Sequence, residues 1–180
     1  MGTAEMPVYL VDFDPAWPQM FESEASDIRS ALGNAVLAVE HIGSTAMPGM
    51  RAKPVIDIMV LIEDIAAAPT CIELLEPLDY HYYPYALDRT PERRWFCKPG
   101  LENRTHHLHL VEAGTEFHRE HVLFRDYLIR DGDVAAEYLA LKESLAARFP
   151  ADREAYTEGK TEFIRAVLER VRAPEEEKSQ

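Results

Sequence analysis

The sequence has few cysteines, no excess of basic residues and no long apolar run. Its 180 residues include only Cys71 and Cys97, which form neither a disulfide framework nor a metal-binding motif. We therefore expect a reducing compartment, the cytoplasm. The opening MGTAEMPVYL lacks the basic start and apolar stretch of a signal peptide. No apolar run approaches the length of a membrane span, so we expect no membrane association.

The charge balance argues against one class of partner. Acidic residues outnumber basic ones by 32 to 19, which gives a formal net charge of −13. A field of this sign repels a phosphate backbone, so we expect no non-specific binding to nucleic acid. A local basic pocket could still hold a nucleotide. The GxxxxGK[ST] pattern of a P-loop does not occur, so the chain carries no kinase domain of that kind.

Hydrophobic periodicity predicts strands in the first two thirds of the chain, with one helix that begins at Asp14-Pro15 and ends at Gly33 and another over residues 65–78, and helices alone after Gly114. The final third shows the spacing of about three helices. This order predicts an α+β fold, a mixed sheet followed by a C-terminal helical layer. We expect one domain over residues 1–173 and a disordered acidic tail over 174–180. The predicted strands are residues 7–13, 35–42, 53–63 and 105–112, with a hairpin whose turn lies near residues 88–91.

The stretch HIGSTAMPGMRAKPVIDIMV joins a small-residue turn to an acid inside an apolar strand. The turn Gly43-Ser44-Thr45 is typical either of a helix cap or of a phosphate cradle built from backbone N–H groups. Asp57 lies between two isoleucines, and burying its carboxylate without a partner would be strongly unfavourable. It therefore faces a polar pocket, binds a metal or pairs with a cation such as Lys53.

Two histidines share one face of the strand THHLHLVE. His107 and His109 are two residues apart, and alternate residues of a strand point the same way. Together with Asp57 they form a candidate two-histidine, one-carboxylate set, which suits a transition metal better than Mg²⁺. The alternatives are ordinary histidines of the sheet, hydrogen-bond donors to a phosphate, or a general base.

Three further side chains are candidates for the same site. Strand alternation directs His41 to the side of Gly43, and Lys53 is a candidate phosphate ligand at the entry of the Asp57 strand. Lys160 interrupts an apolar helical stripe. A lysine there either extends along the stripe to water or reaches an anion in the pocket.

These segments resemble the GrpB family, a group of mostly uncharacterised bacterial proteins. The resemblance spans nearly the whole chain. The residues that carry it are DPAWPQMFESE, EHIGSTAMPGMRAKPVIDIMV, THHLHLVE, FRDYL, AAEYLALKESLA and YTEGKTEFI. The resemblance implies membership of the nucleotidyltransferase superfamily, whose type fold is the catalytic domain of DNA polymerase beta.

The resemblance also implies roles for individual residues. In that superfamily a Gly-Ser turn grips the phosphates, and three acids on neighbouring strands hold two metal ions. Gly43 and Ser44 match the turn and Asp57 matches the first acid, which implies catalytic roles for Ser44 and Asp57 and a divalent cofactor, Mg, Mn or Zn. Met59 occupies the position of the second acid, and the third acid has no clear match.

Two functions from different classes fit these features. The first is an enzyme that binds a nucleotide or another phosphate ligand and transfers a nucleotidyl group to an acceptor. The second is a non-catalytic ligand-binding or accessory module on the same fold. The family also occurs fused to dephospho-coenzyme A kinase in some bacteria, which implies a functional link to coenzyme A biosynthesis.

Overall fold

The computed structural model describes residues 7–84 and 90–176. A mixed sheet of five strands forms its centre, in the order β1-β2-β5-β4-β3. The central pair β2 and β5 is parallel and the other pairs are antiparallel, which confirms the mixed sheet. The strands are β1 (Ala38–Ile42), β2 (Ile56–Ile62), β3 (His81–Tyr83), β4 (Arg93–Lys98) and β5 (His106–Glu112).

Helices cover both faces of this sheet, as expected of an α+β fold. Two of them belong to the first half of the chain, and the others follow the last strand. The helices are α1 (Trp17–Leu32), α2 (Ala68–Leu75), α3 (Glu116–Arg130), α4 (Gly132–Arg148), α5 (Arg153–Glu158) and α6 (Thr161–Glu176).

Strand β2 is apolar on both faces because it lies inside the sheet and is covered on each side. Its residues Ile56, Ile58 and Val60 pack with buried side chains of α1 and α2. Met59 and Leu61 point to the opposite face, where a smaller cluster joins them to β5 and α3. The C-terminal helices have a further apolar core of their own.

Side-chain caps define where the C-terminal helices begin. The Thr115 hydroxyl accepts a hydrogen bond from the His118 amide at 3.4 Å, at the start of α3. Asp131 caps α4 through the Val134 amide at 3.1 Å, and Asp152 caps α5 through the Ala155 amide at 2.9 Å. Such caps satisfy amides that the first helical turn leaves unpaired.

The predicted third C-terminal helix is divided into two in the part of the chain that the structure describes. The break falls at Gly159, between α5 and α6. A Cβ atom at this position would lie 2.4 Å from Leu145 Cδ2. The glycine therefore allows the α5–α6 corner to press against α4.

Two other boundaries differ from the sequence-based expectation. Residues 7–13 form no strand but a single bridge between Val11 and Ala52, because the Val8 amide turns away to the Pro150 carbonyl at 2.8 Å. Helix α6 continues to Glu176, beyond the predicted domain boundary at residue 173, and residues 177–180 lie outside the described residues. Part of the predicted hairpin turn, residues 85–89, also lies outside them.

Membrane-spanning potential can be judged for the helices above. Within residues 7–84 and 90–176, no helix combines the length and the apolar character needed to cross a bilayer.

Candidate functional site

A cleft of about 380 Å³ lies between the C-terminal helices and the face of the sheet opposite α1 and α2. Its floor comes from the β1–β2 turn, β2 and β5, and its wall comes from α3, α4 and the α5–α6 corner. All but one of the residues predicted for the site line it. Those that do are Gly43, Ser44, Thr45, Lys53, Asp57, His107, His109 and Lys160.

Asp57 lies in the floor of the cleft beside two imidazoles. It pairs with His107 across the parallel strands β2 and β5. Its Oδ1 atom is 2.9 Å from His107 Nδ1 and 3.9 Å from His109 Nε2. Burial raises the pKa of Asp57, but the two imidazoles outweigh this and hold the pKa well below its usual range. The carboxylate is therefore ionised near neutral pH.

The two histidines are neutral donors in this arrangement. Burial lowers the pKa of His109 to about 4, against the opposing effect of Asp57, and burial also lowers the pKa of His107. The Arg93 guanidinium donates to His109 Nδ1 at 2.7 Å, which leaves the proton of the neutral ring on Nε2, facing Asp57. The pair thus supplies N–H groups, and the negative charge stays on the acid.

The Gly-Ser turn is in close contact with the carboxylate. Gly43 has a φ of 71°, in the region that favours glycine, and a Cβ atom there would lie 2.5 Å from Asp57 Oδ2. Ser44 opens a short 3₁₀ turn, Ser44–Ala46, and its Oγ atom accepts a hydrogen bond from Lys142 Nζ at 3.0 Å. Position 43 therefore requires glycine both for its backbone conformation and for its close contact with Asp57.

His41 lies outside the cleft, so the orientation predicted for it is wrong. Its cross-strand neighbour is Ile58, which faces α1, and its ring stacks on Phe21 at a centroid distance of 4.6 Å. His41 Nε2 also lies 3.0 Å from the buried Thr45 hydroxyl, which donates to the Val55 carbonyl at 3.4 Å. The positive φ of Gly43 changes the direction of the chain, so the alternation of side chains along β1 does not extend across this glycine. His41 and the Thr45 hydroxyl are structural.

Two lysines converge on one aromatic ring at the edge of the cleft. Lys53 Nζ and Lys160 Nζ lie 5.2 and 4.7 Å from the centroid of the Tyr156 ring. Burial, with Arg153 and Lys160 next in importance, lowers the pKa of Lys53 to about 7. Burial lowers the pKa of Lys160 to about 8, although Asp57 opposes this shift. These ammonium groups would gain from a nearby anion.

Lys142 is a site residue that the sequence reasoning missed. Only 2% of its surface is exposed, and Nζ donates to the Ser44 hydroxyl and to the Arg51 carbonyl. Burial, assisted by Lys160, lowers its pKa to about 7. The signal was present, because Lys142 interrupts the buried stripe of α4 formed by Val134, Tyr138 and Leu145, much as Lys160 interrupts another.

The cleft is strongly cationic although the chain as a whole is acidic. Arg125 donates to Glu40 at 2.8 Å and to the His41 carbonyl at 2.9 Å, so it is fixed against β1. Of the described residues, two with carboxylates, Asp57 and Glu120, line the cleft. The basic side chains that line it are Lys53, Arg93, Arg125, Lys142, Arg153 and Lys160.

The side chains do not fit a metal pair of the kind that the fold family implies. Met59 is fully buried in an apolar cluster where a second acid is expected, and Mg²⁺ prefers oxygen ligands. Asp57, His107 and His109 are the right types for a transition metal, yet they are hydrogen-bonded to one another or to Arg93. Among the described residues, no three or more His, Cys, Asp and Glu side chains lie in an arrangement that could hold a metal ion.

Comparison with known sequences identifies relatives of the chain. A family model described as GrpB protein matches residues 7–170. A UPF0157 protein of Pseudomonas aeruginosa is 41% identical over 163 residues, which cover 89% of this chain and 66% of that protein. A protein of Mycolicibacterium paratuberculosis named dephospho-CoA kinase is 33% identical over 192 residues, covering 93% of this chain and 46% of the kinase. The chain thus spans slightly less than two thirds of the first relative and under half of the second.

Solved structures with the same fold fall into two groups. The GrpB protein of Enterococcus faecalis superposes with a TM-score of 0.81 at 33% identity, covering 91% of this chain and 96% of that one. The Cid1 poly(U) polymerase, in a structure with bound MgATP, gives a TM-score of 0.52 at 13% identity, covering 76% and 44%. The second likeness establishes a nucleotidyltransferase-like fold and nothing about activity.

Proposed function

The chain belongs to the GrpB protein family, and from this premise we propose that it binds a phosphorylated small molecule, foremost a nucleoside triphosphate, in the cationic cleft. The observation that carries the proposal is that six basic side chains among the described residues line one cavity in a chain of net charge −13. Charges of one sign collect in this way against the overall balance where an anion is recognised.

The energetics of the lysines support an anionic ligand. Lys53, Lys142 and Lys160 all have a lowered pKa because burial disfavours their charged form. Among the described residues, none of the three lies within ion-pair distance of a carboxylate. A phosphate in the cleft would supply the missing negative charge and several acceptor oxygens. Burying these three charges therefore costs free energy, and a bound phosphate would offset part of that cost.

The floor of the cleft would position the ligand rather than repel it. The Asp57 carboxylate accepts an N–H from His107 and faces that of His109, so part of its charge is offset locally. Ser44 and Trp95 also line the cavity. If the triphosphate of a nucleotide contacted Lys160 and Lys53, its base or sugar would lie on the side of the cleft that Trp95 lines.

Nucleotidyl transfer to an acceptor is the finer form of this proposal, and the nucleotidyltransferase-like fold supports it. Met59 instead favours a second candidate, a ligand-binding accessory module without metal-assisted transfer. The relative named dephospho-CoA kinase suggests such a link to coenzyme A metabolism. A divalent metal would polarise a phosphate oxygen, and Asp57, His107 and His109 are the side chains that it would meet in the cleft, but as they are arranged among the described residues they form no metal site.

Isothermal titration calorimetry would test the binding proposal. ATP, GTP, dephospho-coenzyme A and inorganic pyrophosphate would be titrated in EDTA and then with Mg²⁺, Mn²⁺ or Zn²⁺. We expect saturable binding of at least one of these ligands, and pyrophosphate release with an acceptor would support the enzyme over the module. Absence of binding for all four at millimolar concentration would contradict the proposal.

A further inference from the structure

We propose that Ser44 is a nucleophile that takes up a phosphoryl or nucleotidyl group from a phosphoanhydride, with Lys142 as its general base. This inference rests on the proposed function, because it requires the cleft to bind a phosphorylated ligand. It goes further by assigning a covalent step to a serine and a lysine of this chain.

The geometry of the Ser44–Lys142 pair is that of a nucleophile and its base. The Ser44 side chain lines the cavity, and Lys142 Nζ lies 3.0 Å from its Oγ atom, within the range expected of such a pair. A second hydrogen bond from Nζ to the Arg51 carbonyl fixes the amine. Nζ also lies 5.3 Å from the centroid of the Tyr138 ring.

Burial to this extent is unusual for a lysine on the solvent-facing surface of a helix. Lys142 is 2% exposed, and lysines are almost never fully buried without a partner. The charged groups that act on its titration are Lys160, Glu143 and Arg51, and Glu143 is bonded to the Arg51 side chain rather than to Lys142. Consistent with this setting, burial lowers the pKa of Lys142 to about 7, so a neutral amine is available near neutral pH.

The step balances without any further reactant. When Lys142 is neutral, the Ser44 hydroxyl donates to the lone pair of Nζ across the same 3.0 Å contact. Oγ then attacks a phosphorus atom of the bound anhydride while its proton passes to that amine. A new Oγ–P bond forms, the bond from phosphorus to the bridging oxygen breaks, and the phosphate or pyrophosphate leaving group departs with the electron pair. Lys53 and Lys160 line the same cavity and would stabilise the charge that develops on the phosphoryl oxygens.

Met59 explains why an internal nucleophile would be useful here. Two-metal transfer activates an external hydroxyl on a metal ion, and the buried methionine removes a carboxylate that such a pair requires. Ser44 instead has an amine beside its hydroxyl.

The test follows covalent labelling of the full chain by ATP that carries ³²P at either the α or the γ phosphate. Intact-mass and peptide mass spectrometry would locate the added group, and the position of the label would distinguish nucleotidyl from phosphoryl transfer. The variants are Ser44→Ala and Lys142→Met, with Ser144→Ala as the control, an exposed serine on the same helix. Melting temperature and calorimetric ATP affinity would be measured for each.

We expect one group per chain on Ser44, no label in Ser44→Ala, and normal labelling in Ser144→Ala. Loss of the Lys142 amine should slow labelling by about a hundredfold or more, a usual contribution of a general base. The wild-type rate should rise as the pH increases through about 7, since only the neutral amine accepts the proton, and this rise should be absent in Lys142→Met.

Other outcomes would overturn the inference, and they are separable from failure of the proposed function. ATP binding without any covalent label would show that Ser44 only contacts the ligand, and the binding proposal would stand. A label on another residue, or a pH profile unchanged in a folded Lys142→Met variant, would equally reject the assigned roles. Absence of label together with absence of binding for ATP, GTP, dephospho-coenzyme A and pyrophosphate would reject both proposals.

Discussion

Gly43 and Asp57 are packed so closely that a Cβ atom on the glycine would lie 2.5 Å from Asp57 Oδ2. A side chain at position 43 would therefore displace the turn that borders the cleft, the Asp57 carboxylate in its floor, or both. The φ of 71° at Gly43 adds a second restriction, because other L-residues rarely adopt it.

The first prediction concerns this contact. Gly43→Ala should lower the free energy of unfolding by about 1–3 kcal/mol, since it adds backbone strain to a steric clash. Ligand binding should be lost as well, because the clash displaces the turn that carries Ser44. Chemical denaturation and calorimetry would measure the two effects. Gly49→Ala is the matched control, because its φ is 78° but nothing lies within 4 Å of its added Cβ. Equal effects on binding in both variants would contradict the prediction.

The second prediction separates function from stability at Lys160. Lys160→Met keeps the apolar stem but removes a charge whose pKa burial has lowered to about 8. Affinity for ATP should fall about tenfold, which corresponds to ~1.4 kcal/mol. The ligand-free melting temperature should rise, by up to about 4 °C, because the desolvated charge no longer opposes folding. Arg165→Met, on the exposed side of α6, should change neither value. An unchanged affinity in Lys160→Met would show that the Lys160 charge does not contact the ligand.

The third prediction concerns pH. Lys53 and Lys160 have a pKa of about 7 and about 8, so they lose charge as the pH rises through this range. Anion affinity should therefore fall with rising pH. Because ATP itself titrates nearby, the measured quantity is the difference between wild type and Lys160→Met across the same buffers. That difference should shrink above about pH 8. A difference that stays constant would contradict a role for the titrating lysine.

The fourth prediction tests the structural role assigned to His41. Its ring stacks on Phe21 and bonds to Thr45, away from the cleft. His41→Ala should lower the free energy of unfolding by about 1–3 kcal/mol through loss of packing and of a hydrogen bond. ATP affinity, measured below the lowered melting temperature, should stay within about twofold of wild type. A larger loss of affinity would restore His41 to the site.

The fifth prediction concerns metal removal. Basic side chains supply the positive charge of the cleft, so EDTA should not weaken the binding of inorganic pyrophosphate. Asp57→Asn should then bind pyrophosphate as tightly as wild type or more tightly, because a negative charge has been removed. The opposite result, Zn²⁺-dependent binding that disappears in Asp57→Asn, would show that Asp57, His107 and His109 hold a metal.

The sequence was most informative where strand periodicity continued without interruption. Alternation along two strands was enough to bring Asp57, His107 and His109 together, because the sheet places β2 beside β5 in register. It failed for His41, since Gly43, two residues later, has a positive φ and ends the regular strand. Residues 7–13 have a strand-like composition, but their hydrogen bonds go to two separate segments.

Contacts between residues that are far apart in the sequence could not be predicted either. The notable feature of Lys142, a lysine on a buried stripe, is visible in the sequence. Its partner Ser44 is 98 positions away, and nothing local links the two residues. The division of the last helix was equally hidden, because Gly159 breaks it through a contact with Leu145 of another helix rather than through an unusual backbone angle.

The corner at Gly159 also has a consequence for relatives of this chain. The space that a side chain would need at position 159 is filled by Leu145 Cδ2. The corner leads directly to Lys160, which enters the cleft. Positions 145 and 159 should therefore covary: relatives with a side chain at 159 should carry a smaller residue at 145. Where that compensation is missing, the lysine at the corner should be displaced from the cleft.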